Sequence, residues 1–391
     1  MLNKDYFKPV TINSHNKLFS NRSDSLLHFT NIYTDEDKFP SLQNIKVAII
    51  GVEEHRASLN NDGVKSAADN IRDYFYELKE FNVPVQLADL GNLISGNTTD
   101  DTYFALADVC TSLIKDNIIP IVIGGSQDVT FGQYKAFENL KQIINLVSVD
   151  SRFDLGEPEE PLHANSFLGK IILQQPNYLF NFSNVGYQTY FVGSSAIELM
   201  NKMYFDAYRL GELKGNLKEV EPIVRNADLM SFDISAIQQS DAPGNANASP
   251  NGFTGVEACQ IMRYAGLSDK ISALGIHEYN PMIDVNGQTA HLIAQMLWYF
   301  IDGIVNRKKE SPFGSKNSFI KYRVPLAKED HEIVFIKSKK SERWWMEVPV
   351  DESKIKLSRH HIVPCSYTDY ETACNNEMPD RWWQAFKKLS S

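Results

Sequence analysis

Short apolar runs alternate with amphipathic stretches along most of this chain. Lys46-Val-Ala-Ile-Ile-Gly51 predicts a buried strand that ends in glycine, and the spacing of Ile71, Phe75 and Leu78 predicts a helix over 66–79. A second short strand is expected at Val85 to Leu87, then a helix over Tyr103 to Asp116 with Leu106, Val109 and Leu113 on one face. Ile118 to Ile123 is apolar throughout and runs into Gly124-Gly125; Thr130 to Asn139 reads as a helix and Ile144 to Val149 as the next strand. Further strands are predicted at Tyr190 to Gly193, Asp228 to Asp233 and Ile271 to Ile276. Helices are predicted at Gly255 to Ala265 and Gln288 to Val305.

Strands that are apolar on both faces and alternate with helices predict an α/β fold: a mainly parallel sheet covered on both sides. In such sheets ligands bind just beyond the carboxyl ends of the strands, so the residues that follow each strand are the candidate site. Residues 1–44 are polar and aperiodic and read as an N-terminal arm on the main α/β domain, 45–306. Segment 307–391, with its Lys/Glu alternation and the pairs Trp344-Trp345 and Trp382-Trp383, reads as a C-terminal extension of a few antiparallel strands and a terminal helix.

Composition narrows the function. The 391 residues are 43% hydrophobic and 23% charged, in the globular range, and the net charge of −10 argues against a nucleic-acid binder. No apolar run has the roughly 18 residues of a membrane span. Four cysteines without C-x-x-C spacing, and no secretory signal, suggest a reduced, cytoplasmic protein with no membrane partner.

Chemistry concentrates at the strand ends. Ile123-Gly-Gly-Ser-Gln-Asp-Val-Thr130 is followed by Ser148-Val-Asp-Ser-Arg-Phe-Asp154 and by Ser231-Phe-Asp-Ile-Ser235 with Asp241-Ala-Pro-Gly244. A fourth stretch, Gly275-Ile-His-Glu-Tyr-Asn-Pro281, precedes Thr289-Ala290. In order and spacing these resemble the arginase, agmatinase and formiminoglutamase (ureohydrolase) family over about 45–306. The family's patterns are Gly-Gly-Asp-His-Ser, Asp-Ala-His-x-Asp, Ser-x-Asp-x-Asp and Glu-x-Asn-Pro. The resemblance implies a three-layer arginase-like fold with a small C-terminal extension. It also implies a two-manganese site that makes a hydroxide nucleophile, as paired ions do.

Carried across position by position, the family's metal-binding aspartates fall on Asp150, Asp154 and Asp233. Its two histidines fall on Gln127 and Arg152, and its last aspartate on Ser235; Ser126 and Asp128 exchange the expected aspartate and serine. Two divalent ions would outweigh three aspartates, and Arg152 stays protonated. The expectation is therefore a depleted site, with no cofactor or a single Mn²⁺ or Mg²⁺. Two Mn²⁺ are expected only if other residues, such as Asp128, His277 or Asp241, compensate. The Arg152 guanidinium is expected to pair with Asp150, Asp154 or Asp233, in place of an ion. His163 resembles the family's proton-shuttling histidine and Glu278 its amidine-holding glutamate; the bland alternatives are a loop histidine bonded to backbone and a carboxylate paired locally, with Arg152.

Three functions follow. The first is a catalytically impaired family member that binds a small amidino or amino ligand or regulates. The second is an active metal-dependent hydrolase of linear amidines such as formiminoglutamate. The third is a scaffold whose arm and Trp-rich tail bind a partner. A homo-oligomer is expected in each case.

Overall fold

In the computed structural model, which describes residues 2–11, 23–36, 38–310, 312, 316–326, 331–350, 357 and 359–390, ten strands form one sheet. In chain order they are β1 (Phe7–Lys8), β2 (Thr30–Ile32), β3 (Val47–Val52), β4 (Leu87–Leu93), β5 (Ile119–Ile123), β6 (Ile144–Val149), β7 (Leu179–Tyr187), β8 (Asp206–Arg209), β9 (Leu229–Asp233) and β10 (Ala273–His277). Their spatial order is β1-β4-β3-β5-β10-β9-β6-β7-β8, with β2 also on β4. Each pairing is parallel except β1 with β4. The arm thus contributes two short strands to the sheet edge. Its residues 12–22 lie outside the described residues, as do parts of the extension.

Helices cover both faces, because each central strand has apolar side chains on both sides. Val47, Ile49, Ile121, Val147 and Met230 pack under Ala67–Phe75, Gly255–Gly266 and Gln288–Val305. Ile50, Val52 and Val122 pack on the other face under Thr99–Lys115. Local signals fix the helix starts: Thr98 accepts from the backbone N–H of Asp101 while the Asp101 carboxylate accepts from that of Thr98, and Thr254 and Glu257 repeat the arrangement.

Two expectations about strands fail. Tyr190 to Gly193 is a turn, closed by Phe191 N–H to the Gln188 carbonyl at 2.8 Å. The strand lies earlier, in β7, where asparagines and serine break the apolar run. Those polar side chains are buried against partners: Asn181 donates to Asp206 and Asn184 to the Arg152 carbonyl. The strand expected at 85–87 begins at Leu87 and continues to Leu93, carrying the buried Asp89, Gly91 and Asn92. Arg72 and Tyr76 neutralise and bond Asp89, and this is why a carboxylate fits in a central strand.

The C-terminal extension is a four-stranded antiparallel sheet, β11 (Phe319–Leu326), β12 (His331–Ser338), β13 (Trp344–Glu347) and β14 (Ile362–Cys365), with a helix at Asp380–Ser390. Trp344, Trp345 and Trp382 are buried packing residues. Arg225 of the main domain stacks its guanidinium 4.5 Å from the Trp345 ring and donates to the Trp344 and Cys365 carbonyls, pinning the extension to the domain.

Candidate functional site

Four adjacent strands, β5, β10, β9 and β6, deliver the sequence-singled residues to one edge. Asp233 ends β9, Asp150 follows β6 by one residue, Glu278 follows β10, and Gln127 lies on the turn after β5. The register sets Val149 beside Phe232 and His277 beside Asp233, so Asp150 and Asp233 stand level at the carboxyl ends and Glu278 lies one residue beyond them. The Gly124-Gly125 turn makes room for this. Both have positive φ, and a Cβ on Gly125 would sit 2.9 Å from the Glu54 carbonyl oxygen. Its carbonyl receives the Glu278 N–H at 3.1 Å.

Asp154 (φ 51°) and Glu278 (φ 69°) both hold left-handed backbone, uncommon for side-chain-bearing residues and a recurrent feature of functional sites. Asp150 accepts the Arg152 N–H at 2.8 Å on Oδ1, and its buried Oδ2 has no donor among the described residues. Asp233 accepts the Ser235 N–H at 2.7 Å. Glu278 is held at both oxygens, by the Gln127 N–H at 2.9 Å and by Asn61 Nδ2 at 2.8 Å.

The electrostatics follow from burial. Asp150, Asp154, Asp233 and Glu278 are at most 8% exposed. Burial, reinforced by the neighbouring carboxylates, pushes Asp154 up to about 7 and both Asp233 and Glu278 up to about 8, while Asp150 rises well above the usual carboxylate range beside Asp154. Among the described residues no Lys or Arg forms an ion pair with any of the four.

Arg152 departs from the expectation. Its guanidinium makes no ion pair with Asp150, Asp154, Asp233 or Glu278; it lies 4.7 Å from the Phe191 ring. Its backbone explains this. The N–H is committed to Asp150 and the carbonyl to Asn184 Nδ2 at 2.6 Å, so the side chain leaves over Phe191. Its charge still offsets part of the rise at Asp154 and Asp233.

The other positions expected to be substituted are tied locally. Gln127 Nε2 donates to Ser148 and Ser231, and Ser235 Oγ meets Ser151 Oγ at 3.3 Å. The possible substitute ligands each have a partner elsewhere: Asp128 accepts from Tyr103 OH, His277 Nδ1 faces the Gly124 carbonyl, and Asp241 accepts from Gln238 and the Gly255 N–H, while Asp128 Oδ1 and His277 Nε2 are buried without a partner among the described residues. His163 stands on the loop after Asp154, with Nδ1 accepting the Asn165 N–H and Nε2 3.0 Å from Glu160. A backbone N–H can only donate, so the imidazole proton sits on Nε2. Among the described residues no three His, Cys, Asp or Glu side chains are drawn tightly enough to make a preassembled metal cage.

Sequence reasoning missed Asn61 and Asn245, which both donate to the Glu278 carbonyl at 2.9 Å. Neither belongs to a strand end or a charged motif; the one available signal was the Asn61-Asp-Gly63 turn chemistry.

Residues 45–302 match the arginase family profile. The chain belongs to the arginase family. It is 26% identical over 310 residues to a formimidoylglutamase of Staphylococcus haemolyticus, covering 73% of this chain and 97% of that one. It is 25% identical over 297 residues to a formimidoylglutamase of Bacillus subtilis, covering 69% and 90%. The fold also matches the crystal structure of the Bacillus subtilis formimidoylglutamase, with a TM-score of 0.65 at 18% identity over 74% of this chain and 94% of that one. A Trypanosoma cruzi formiminoglutamase solved with Mn²⁺ matches with a TM-score of 0.63 at 18% identity, over 69% and 100%. Among the described residues no helix is long and apolar enough to cross a membrane.

Proposed function

We propose that this arginase-family protein is a C–N hydrolase of a linear amidine of the formiminoglutamate type, with one divalent cation held by Asp150, Asp154 and Asp233. The observation that carries this is the convergence of four buried carboxylates, all raised toward the neutral form, with no ion-paired side chain among the described residues. Such a pocket is stabilised by bound positive charge. The donor chemistry suits one hard cation, three carboxylates of which one has an unpartnered Oδ2, although the three are not drawn into a preassembled cage and would have to close around the ion. It does not fit a second ion, because Gln127, Arg152 and Ser235 occupy the positions where the family has its remaining ligands. A bound ion of this kind acidifies water and supplies the nucleophile at neutral pH.

The chain's own residues do the rest. Glu278, held at both oxygens, receives the amidinium and orients its carbon toward the aspartates. Asp150 and Asp233, level on neighbouring strands, would hold the ion and its water beside that carbon. His163 is assigned the protonation of the leaving nitrogen as the imidazolium, after taking up on Nδ1 the proton released by the attacking water and giving up the Asn165 bond. The names of the relatives favour formimidoylglutamate over other amidines.

A second reading is supported by Gln127, Arg152 and Ser235: the pocket binds the amidine without turning it over. One assay separates the two. The purified chain with Mn²⁺ is incubated with N-formimidoylglutamate, and glutamate release is followed by NMR. Release above an Asp150→Asn control supports the hydrolase; saturable binding with no release supports the binder; neither outcome removes the amidine from both readings.

A further inference from the structure

Glu278 is the residue on which amidine recognition depends, and its left-handed backbone does not hold itself. We propose that Asn61 is its positioning residue, clamping main chain and carboxylate together so that the pocket presents an amidinium-binding edge; this rests on the amidine reading above.

The geometry is directional. Asn61 lies immediately before the turn Asp62–Ser66 and is 1% exposed. Its Oδ1 accepts from the Ala246 N–H at 3.3 Å and from Asn280 Nδ2 at 3.0 Å. A backbone N–H only donates, so the amide cannot be flipped, and Nδ2 must face Glu278. That nitrogen has two hydrogens and two acceptors, Glu278 Oε2 at 2.8 Å and the Glu278 carbonyl at 2.9 Å. Asn245 Nδ2 adds a second donor to the same carbonyl. The packing is close on the other side as well: a Cβ on Gly63 would sit 1.9 Å from Asn280 Oδ1. Every polar atom of the Asn61 amide is therefore used, and half of that capacity is spent on one residue of the site.

Aspartate has the shape of asparagine but cannot donate from the second position. A residue that only fills space is replaced more gently by Asp than by Ala. A residue that positions by donation behaves in the opposite way, because a carboxylate oxygen would then face Glu278. The test uses the full chain in EDTA, with N-formimidoylglutamate binding followed by titration calorimetry for wild type, Asn61→Ala and Asn61→Asp. Losing the buried donor that holds both the Glu278 carboxyl and its carbonyl is expected to weaken binding about 10-fold in Asn61→Ala and about 100-fold in Asn61→Asp. Mn²⁺ affinity at the aspartates should change less than about threefold. Crystal structures of both variants should show the Glu278 carboxylate displaced from the Gln127 N–H. If Asn61→Asp does not fold, Asn61→Ala carries the comparison. Asn61→Asp binding like wild type, or Glu278 unmoved in the variants, overturns the proposal. If wild type binds no amidine, the proposed function fails, while the position of Glu278 in the variants still decides the role of Asn61.

Discussion

Asp233→Asn should make the metal-free protein more stable at neutral pH, although it removes a residue from the candidate site. Asp233 is 8% exposed, and burial beside Asp150 raises it from 3.8 to about 8. A group raised in the folded state contributes no penalty below its unfolded value. As pH climbs from about 4 to about 8 the unfolded chain releases the proton and the folded chain keeps it. Stability falls across that window and is flat above it. Taken alone, about 1.36 kcal/mol per unit gives roughly 4 kcal/mol lost by pH 7. Asp150 and Asp154 share the same field and relax when Asp233 is neutralised, so a net gain of about 2–3 kcal/mol is expected at pH 7. Asparagine retains the oxygen that accepts the Ser235 N–H, so the turn after β9 survives. Urea unfolding in EDTA at pH 5, 6, 7 and 8 reads the effect: the wild-type midpoint should fall with pH more steeply than the variant's. Parallel pH profiles, or a variant less stable than wild type at pH 8 in EDTA, would refute the electrostatic reasoning.

Arg152→Ala should cost at most about 1 kcal/mol, the scale of one cation–π contact with Phe191. It should also tighten Mn²⁺ binding, since a positive charge that offsets the aspartates is removed; weaker binding in a Mn²⁺ titration would contradict this. Arg72→Met should destabilise by about 3–5 kcal/mol, because it strands the buried Asp89 that Arg72 meets at 2.8 Å from both Nε and Nη2. Thermal melts at neutral pH check it, and a shift within error would refute the pairing.

The apolar runs at Ile118 to Ile123, Ile144 to Val149 and Ile271 to Ile276 made the central strands legible, because strands covered on both faces have no need of polar residues. β7 and β4 escaped for the opposite reason. Their buried asparagines, serine and aspartate are satisfied by Asp206, Arg152 and Arg72, partners remote in sequence. The site divides in the same way. Asp150, Asp154, Asp233 and Glu278 follow from strand ends and motif order. The direction of Arg152 depends on where its backbone is tied and on Phe191 in a turn read as a strand. Asn61 reaches Glu278 across 217 residues, a separation no local pattern encodes.

A single cation at the aspartate cluster is tested most directly by anomalous diffraction from Mn²⁺-soaked crystals. One Mn²⁺ peak bounded by Asp150, Asp154 and Asp233, abolished in Asp233→Asn, is the predicted result. No peak at saturating Mn²⁺, or two peaks about 3.5–4 Å apart as in two-metal hydrolases, would contradict it.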